Sequence, residues 1–310
     1  MIAAIAGCKK VTDVTLQSEL FLVVGKTAEL AVTIIPNNAH NQSVSWKTSN
    51  SDVATVEDGI VTGISVGRAI ITVITEDGNR SATCLVTVFQ PIEPEMIWVE
   101  GGTFTMGCSD DECLEGELPN HEVTLSSFNI AKYTITQKEW ASIMFDNPCQ
   151  IYINTDIPVS NVTFETIKVF ITRLNAVTGK NYRLPTEAEW EFAARGGMKS
   201  EGFKYSGSND INEVAWYAGN ARNCIHSVGL KQSNELGIYD MSGNVLEFCS
   251  DWYGNYTNET QINPTGPSVG DHHIIRGGGS FYEAQYARVS SRMYAKIDKW
   301  EGLGFRLVHP

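Results

Sequence analysis

Short runs of alternating apolar and polar residues, rich in Val, Ile and Thr, follow one another from Val11 to Phe89. Successive side chains of a strand point to opposite faces, so this period of two predicts β-strands with one buried face. Turn signals separate the runs, and Asp58-Gly59 lies between VATV and IVTG, as is typical of a hairpin. The pattern predicts an all-β sandwich with Trp46 in its core.

From Met96 onward the period changes. MIWVEGGTFTMG and HEVTLSSFNIAKYTIT each predict two short strands, and TQKEWASIMF from Thr136 to Phe145 predicts a short helix. A longer helix is predicted from Thr163 to Val177, with Thr163 as N-cap and Gly179 as its stop. Its apolar residues recur at helical spacing on one face: Phe164, Ile167, Phe170, Ile171, Leu174 and Val177.

A third helix is predicted after Arg183-Leu184-Pro185, with Thr186 as N-cap. Its glutamates, Glu187, Glu189 and Glu191, alternate in sequence, and a helix turns such positions away from one another. Capping by Glu189 and pairing of Glu191 with Arg195 are therefore favoured over general acid–base chemistry. Few regular elements are expected in the loop-rich region from Gly202 to Asn234.

These patterns divide the chain into two domains. Residues 9–90 form the all-β domain, 91–95 form a Pro-punctuated linker, and 96–310 form an irregular α+β domain. Net charge is −13, and Lys9-Lys10 is the longest basic cluster, so a nucleic-acid partner is not expected. The acidity suits divalent cations or serves solubility alone.

The N-terminal residues Ile5-Ala6-Gly7-Cys8 resemble the lipobox of bacterial lipoproteins. The resemblance implies that residues 1–8 are a signal remnant, that Cys8 is lipidated, and that the protein is held at a membrane of the bacterial cell envelope. The alternative is a chance match, since Met1 to Gly7 lacks a basic region. No other segment approaches the roughly 20 apolar residues that span a bilayer.

Six further cysteines are Cys84, Cys108, Cys113, Cys149, Cys224 and Cys249. Cys108 and Cys113 are close enough in sequence to form a structural disulfide, or they remain two free thiols. A redox pair is less favoured, because no Lys, Arg or His lies between them to stabilise a thiolate. Cys84 is predicted to be a buried thiol, and the pairing of the others stays open.

The stretch from Gly237 to Phe248, GIYDMSGNVLEF, carries the most pointed chemistry. Asp240 and Glu247 bracket a Ser-Gly-Asn turn whose backbone carbonyls can face inward. Two carboxylates with backbone oxygens suit a hard cation such as Ca²⁺. An ordinary hydrogen-bonded turn is the alternative.

Two family resemblances cover most of the chain. SVSWKTSNSDVATVEDGIVTGISVGRAIITV and its flanks resemble bacterial immunoglobulin-like domains, which implies a spacer or adhesion module. WVEGGTFTMG, YRLPTEAEWEFAARGG, GIYDMSGNVLEF, IIRGGGSF and GLGFRLV, in that order, resemble the formylglycine-generating enzyme (sulfatase-modifying factor) family. That resemblance implies an irregular C-type-lectin-like fold.

The second resemblance also implies metal sites. Calcium ligands fall on the side chains of Asp240 and Glu247 and on the carbonyls of Gly243 and Val245. A second calcium site would begin at Asn220 and Ala221, but its later acidic ligand has no match here.

The active enzymes of the family hold Cu(I) with two cysteines, three and eight residues after the serine matched by Ser280. Those positions are Glu283 and Arg288 in this chain. Neither side chain binds Cu(I), which needs soft thiolates, so copper is not expected. Substitution by Cys108 and Cys113 is disfavoured because they lie in a different loop.

We therefore expect a non-catalytic, calcium-stabilised, lectin-like binding domain of an envelope lipoprotein. Its ligand would be a glycan, a peptide or an envelope protein. Alternatives are an oxidase acting on sulfatase cysteines and a structural part of an envelope assembly. The predicted contact groove contains Ser280, Glu283 and several aromatic and basic residues, while His272 and His273 are predicted to be surface residues. The remaining groove residues are Trp252, Tyr253, Phe281, Tyr282, Tyr286 and Arg288.

Overall fold

The computed structural model describes residues 9–149, 156–295 and 300–310. The chain divides into two compact units with the boundary between Pro91 and Ile92, inside the predicted linker. The residues after this boundary are tied to the second unit, because the amide of Ile92 donates to Oγ of Ser142 and Glu93 pairs with Lys180. Each unit is described separately.

The first unit is all β. Its strands are β1 Asp13–Thr15, β2 Glu19–Val23, β3 Thr27–Glu29, β4 Thr33–Ile35, β5 Val44–Thr48, β6 Ala54–Glu57, β7 Ile60–Gly63, β8 Gly67–Thr75 and β9 Ser81–Phe89. Strands β2, β9, β8 and β5 form one sheet in that order, β3, β7 and β6 form a second, and β1 pairs with β4.

The core of this unit confirms the predicted immunoglobulin-like sandwich. Fully buried Ile71 and Val86 of the larger sheet and Val61 of the smaller sheet belong to one cluster. Trp46 packs against this cluster and is half-buried. Cys84 is a buried thiol whose pKa is raised by burial and then by the charge of Glu19.

The predicted hairpin is present at Asp58-Gly59. Both residues have left-handed backbones, with φ of 48° and 82°, and they join β6 to β7 with Val56 opposite Val61. Two consecutive positive φ values describe a turn whose twist matches that of the flanking strands.

The strands of the second unit are short and separated by long loops, as expected for the irregular α+β fold. They are β10 Met96–Val99, β11 Gly102–Met106, β12 His121–Leu125, β13 Phe128–Ala131, β14 Leu246–Trp252, β15 Gln261–Ile262, β16 His273–Arg276, β17 Arg292–Tyr294, β18 Leu303–Gly304 and β19 Val308–His309. In the described residues they form three small sheets, ordered β10-β13-β19, β11-β12-β15 and β17-β16-β14-β18.

Three helices of this unit begin where the sequence predicts, and a fourth, at Ile211–Val214, was not predicted. Thr136, Thr163 and Thr186 each accept the amide of the residue three positions on. The α-helices are α1 Gln137–Met144, α2 Phe164–Thr178, α3 Glu187–Ala194 and α4 Ile211–Val214, and 3-10 turns lie at Glu115–Glu117, Gly197–Lys199 and Ala284–Ala287.

Helix α3 lies at the centre of the unit, and all eight of its residues are buried. Trp190 and Phe192 belong to a core cluster that includes Val123 of β12 and Ile274 of β16. A helix buried all round must satisfy its charged side chains inside the protein. Its three glutamates therefore require buried partners.

Candidate functional site

Four arginines from the C-terminal part of the chain each meet a buried glutamate. Arg288 pairs with Glu117 at 2.7 Å, Arg292 with Glu187 at 2.7 Å and Arg306 with Glu247 at 2.6 Å, and Arg276 pairs with Glu191. Unpaired charges at this depth would cost several kcal/mol, so these pairs are required by the fold. They tie these four positions to α3, to the 3-10 turn Glu115–Glu117 and to Glu247.

The glutamates of α3 act as the capping interpretation predicts. Oε2 of Glu189 accepts the amide of Thr186 at 2.8 Å, and Glu189 also pairs with Arg183. Glu191 pairs with Arg195 at 2.8 Å, as predicted.

Arg276 and Arg292 were not predicted as partners of this helix. A signal for Arg276 was present, because it directly follows Ile274-Ile275 in an apolar strand. A charge in such a strand indicates a buried partner.

Arg288, at a position that the resemblance gives to a copper ligand, lies inside the domain. Only 1% of its side chain is exposed, and its guanidinium contacts Glu117, Oγ of Ser290 at 3.2 Å and Sγ of Cys108 at 3.6 Å. The structure therefore does not support Arg288 as a direct ligand contact, because its donors are directed to protein atoms. Glu283 is exposed, and neither position offers a thiolate, so the residues present do not fit copper.

Cys108 and Cys113 form a disulfide with a Cα–Cα distance of 5.4 Å, which confirms one of the two predicted alternatives. Although they lie in a different loop, Cys108 reaches the side chain of Arg288. Asp110 lies within reach of both sulfurs, but disulfide sulfurs are not thiolate ligands. Cys249 is buried in β14, and its pKa is raised by burial.

Ser280 is fully buried, and its Oγ has no hydrogen-bond partner among the described residues. Its amide donates to the carbonyl of Asn244 at 2.9 Å, which ties the glycine run to the turn before β14. The glycines permit this approach. A Cβ at Gly278 would lie 2.8 Å from the carbonyl oxygen of Tyr286, and its φ of 66° favours glycine.

Tyr282 lines a cavity of about 510 Å³, which we call the aromatic cleft. The ring of Tyr282 meets the ring of Trp300 edge-on, with 5.3 Å between the ring centroids, and the centroids of Tyr253 and Tyr294 are 4.8 Å apart. Leu246 also lines the cleft. The lining is apolar and aromatic, with Arg292 as its charged member.

The structure distributes the other predicted groove residues over separate places. Trp252 lines a second cavity, and Phe281 lines a third with Cys149 and Cys224. The prediction that His273 is a surface residue was wrong. It is half-buried between Phe164 at 3.5 Å and Trp252 at 3.7 Å, and burial lowers its pKa.

The turn from Asp240 to Glu247 presents hard oxygen donors. Asp240 is 3% exposed, and its Oδ2 accepts the amide of Gly229 at 2.8 Å. Among the described residues, no hydrogen bond reaches the carbonyl oxygens of Gly243 and Val245. Gly243 must be glycine, because a Cβ there would lie 2.3 Å from the carbonyl oxygen of Trp216.

Glu247 is also buried, and its oxygens accept from Arg306 and from Nε1 of Trp190 at 2.8 Å. Burial, with the nearby charge of Glu247, raises the pKa of Asp240 to about 6. Arg306 pairs with Glu247, and among the described residues Asp240 has no ion-pair partner. Because Glu247 already accepts from Arg306 and Trp190, Asp240 and the carbonyls of Gly243 and Val245 are the oxygens of this turn still open to a hard cation such as Ca²⁺.

The residues of the second suggested calcium site do not fit an ion. Oδ1 of Asn220 accepts the amide of Tyr217 at 3.0 Å, and the carbonyl of Ala221 accepts Nε2 of His226 at 3.1 Å. Both oxygens that would bind the ion already accept hydrogen bonds within the protein.

Cys8, the predicted lipidation residue, lies outside the described residues. In the part of the chain that the structure describes, no helix is both long and apolar enough to span a bilayer.

Comparison with known families agrees with both domain resemblances. The family described as sulfatase-modifying factor enzyme 1-like domain matches residues 85–310, and bacterial Ig-like domain (group 2) matches residues 10–86.

Three similar proteins have informative names. "Chaperone protein LppX" of Paenibacillus barcinonensis is 34% identical, and the match covers 67% of this chain and 86% of that protein. "Formylglycine-generating enzyme" of Thermomonospora curvata is 26% identical, with coverages of 66% and 89%. "Inactive C-alpha-formylglycine-generating enzyme 2" of Mus musculus is 24% identical, with coverages of 69% and 85%.

Among solved structures, "Treponema denticola variable protein 1" matches with a TM-score of 0.64 and 27% identity. The match covers 69% of this chain and 94% of that one.

Proposed function

The chain belongs to the family of the sulfatase-modifying factor enzyme 1-like domain, and we propose that it is a non-catalytic member that binds a ligand. The observation that carries this proposal is the buried ion pair between Arg288 and Glu117. It occupies a position where the resemblance requires a copper-binding thiolate. The relative whose name describes it as an inactive formylglycine-generating enzyme supports the non-catalytic part of this proposal.

The aromatic cleft is the proposed binding site. Clefts lined by apolar and aromatic side chains with few polar groups are typical of binding sites in proteins. Tyr and Trp supply large contact areas at low entropic cost, which favours Tyr282 and Trp300 as anchors. Glycans need several polar partners, whereas this lining offers few, so a peptide segment with an apolar side chain fits better.

A calcium ion is proposed at the turn of Asp240, Gly243, Val245 and Glu247. It would offset the buried carboxylate charge and stabilise the folded state, with no role in chemistry. Because Ser280 is bound to this turn through Asn244, the ion would also fix the C-terminal stretch that carries Tyr282.

We further propose that the protein acts at the bacterial cell envelope, anchored by a lipid at Cys8. The bacterial immunoglobulin-like domain and the relative named as the chaperone LppX support an envelope setting. Mass spectrometry of the protein from bacterial membranes tests the anchor. An unmodified Cys8 in that protein would contradict it.

Binding is tested with the full chain, a random peptide display library and a glycan array. We expect the library to yield peptides rich in apolar residues, and Tyr282→Ala to weaken their binding at least about tenfold. Trp98→Ala is the matched control, since Trp98 is 59% exposed and lies outside the cleft. Selective glycan binding without peptide binding would overturn the peptide assignment.

Catalysis is tested separately. The full chain is incubated with Cu(I), oxygen and a cysteine-containing sulfatase-motif peptide, and the peptide mass is expected to stay unchanged. If the wild type converts the peptide cysteine and Cys108→Ser does not, the protein is an oxidase and the non-catalytic proposal is wrong.

A further inference from the structure

A second cavity, of about 500 Å³, lies where the N-terminus of α3 meets the end of β14 and the loop of residues 254–267. Its walls include Asp251 and Trp252 from β14, Glu187 from α3 and His121 from β12. Arg292 is shared with the aromatic cleft, and the other named wall residues are not. We call it the Asp251 cavity.

Asp251 differs from the other charged residues of this cavity in its pairing. Glu187 is held by Arg292 through two hydrogen bonds, of 2.8 and 2.7 Å, and also lies 3.6 Å from Nε of Arg276. Asp251 is only 5% exposed and, within the described residues, has no ion-pair partner. A cation that enters the cavity would therefore meet a buried carboxylate that is free to pair with it.

The hydrogen bonds of Asp251 leave one oxygen unused. Oδ2 accepts the amide of Glu187 at 3.1 Å and the hydroxyl of Ser250 at 3.0 Å. No described residue donates a hydrogen bond to Oδ1. Since Asp251 lines the cavity, this oxygen is available to a group that enters it.

A buried carboxylate without a cation is costly, and the cost is met by a proton or by a positive ligand. Burial, followed by the charge of Glu187, raises the pKa of Asp251 to about 7. Near neutral pH the site can therefore exchange a proton for a cation.

The remaining walls suit an organic cation. Trp252 is among the wall residues, and aromatic rings attract ammonium groups. Asn255, Gln261 and Thr265 also line the cavity, and each has a side-chain oxygen that can accept a hydrogen bond from an N–H donor.

We propose that the Asp251 cavity binds a ligand that carries a primary ammonium group, such as a lysine side chain of a peptide, with Asp251 as its counter-ion. The proposal rests on this cavity alone and does not require binding in the aromatic cleft.

The test is calorimetry with the full chain at pH 8, where Asp251 is ionised. The probe is Nα-acetyl-lysine methylamide, and Nα-acetyl-norleucine methylamide is the control that lacks the ammonium group. We expect the lysine compound to bind the wild type and to bind Asp251→Asn at least about tenfold more weakly, because a charged hydrogen bond is lost. The norleucine compound is expected not to bind.

Asp251→Asn keeps an oxygen that can accept the amide of Glu187, so α3 retains that hydrogen bond. The matched control is Asp210→Asn, which changes an aspartate that accepts the amide of Asn212 at the start of α4, and it should bind like the wild type.

A second measurement avoids the variants. In the wild type, the indole N–H resonance of Trp252 should shift with the lysine compound and stay in place with the norleucine compound. Absence of lysine binding, equal binding of both compounds, or binding of methyl glucoside in their place would each overturn the proposal.

Discussion

Nη2 of Arg288 lies 2.7 Å from Oε1 of Glu117, and each side chain is 1% exposed. The two residues are 171 positions apart in sequence. Their pairing joins the segment after the glycine run to the 3-10 turn Glu115–Glu117, beside the disulfide of Cys108 and Cys113. A position that holds a copper ligand in the active enzymes is here part of the structural core.

Breaking this pair should destabilise the second unit strongly. Arg288→Met leaves Glu117 buried without a partner, and we expect a loss of about 3–5 kcal/mol in the free energy of unfolding. The double variant Arg288→Met/Glu117→Gln should lose less than the sum of the single variants, because no charge is left unpaired. Urea unfolding of the second unit measures the free energy of unfolding of Arg288→Met, Glu117→Gln and the double variant.

The matched control for that experiment is the exposed pair between Lys138 and Asp156, whose side chains are 42% and 54% exposed. Lys138→Met should cost at most about 1 kcal/mol, because solvent screens exposed pairs. Equal losses in Lys138→Met and Arg288→Met would contradict a special role for the buried pair.

Calcium should stabilise the second unit through Asp240. With calcium at a hundredfold excess over its Kd, we expect about 2.7 kcal/mol of added stability, seen as a higher Tm that chelation removes. Asp240→Asn should abolish this response, while Asp210→Asn, at an exposed helix cap, should keep it. If chelation leaves the wild-type Tm unchanged, the calcium site is wrong.

Stability should fall as the pH rises from about 4 to 7, because the folded pKa of Asp251, about 7, exceeds the ordinary value of 3.8. The folded state then holds a proton that the unfolded chain releases, so this contribution is complete below pH 4 and lost above pH 7. It amounts to about 4 kcal/mol, at 1.36 kcal/mol per pKa unit.

Asp251→Asn isolates this effect from the charged and titratable groups around it: Arg183, Glu187, Glu189, Cys249, His273 and Arg292. Subtracting the pH–stability curve of the variant from that of the wild type leaves the contribution of Asp251. Measurements are made with a chelator present, so that calcium does not act at Asp240. Parallel curves for the two proteins would rule the effect out.

Gly59→Ala should destabilise the first unit more than Gly25→Ala. Both glycines have positive φ, 82° and 78°, so each alanine costs about 1 kcal/mol of backbone strain. At Gly59 the added Cβ also lies 3.1 Å from Cζ2 of Trp46, whereas at Gly25 it meets nothing within 4 Å. Thermal unfolding of the first unit compares them, and equal losses would show that the contact with Trp46 is unimportant.

Interactions between residues close in sequence were predictable. The N-caps Thr163 and Thr186, the pair Glu191–Arg195 and the hairpin at Asp58-Gly59 all formed as expected. Each depends on residues one to four positions apart, whose geometry the local backbone determines.

The candidate site was predicted less completely. The position of Arg288 was identified, but its partner Glu117 was not, and the predicted groove proved to be several cavities. His273 was misjudged because its stacking partners, Phe164 and Trp252, are distant in sequence. Whether side chains a hundred residues apart come into contact depends on how the whole chain folds, and local sequence patterns do not determine that.

The order of the two domains, their families, the starts of three helices and the absence of cysteines at residues 283 and 288 followed from the amino-acid order alone. Which glutamate each arginine meets, and which oxygen of Asp251 is left without a donor, depends on how the chain folds. Arginines 276, 288, 292 and 306 differ little in their intrinsic chemistry. What distinguishes them is the buried carboxylate that the fold brings to each. Because both charges of each pair are buried, loss of one partner would cost several kcal/mol of folding free energy.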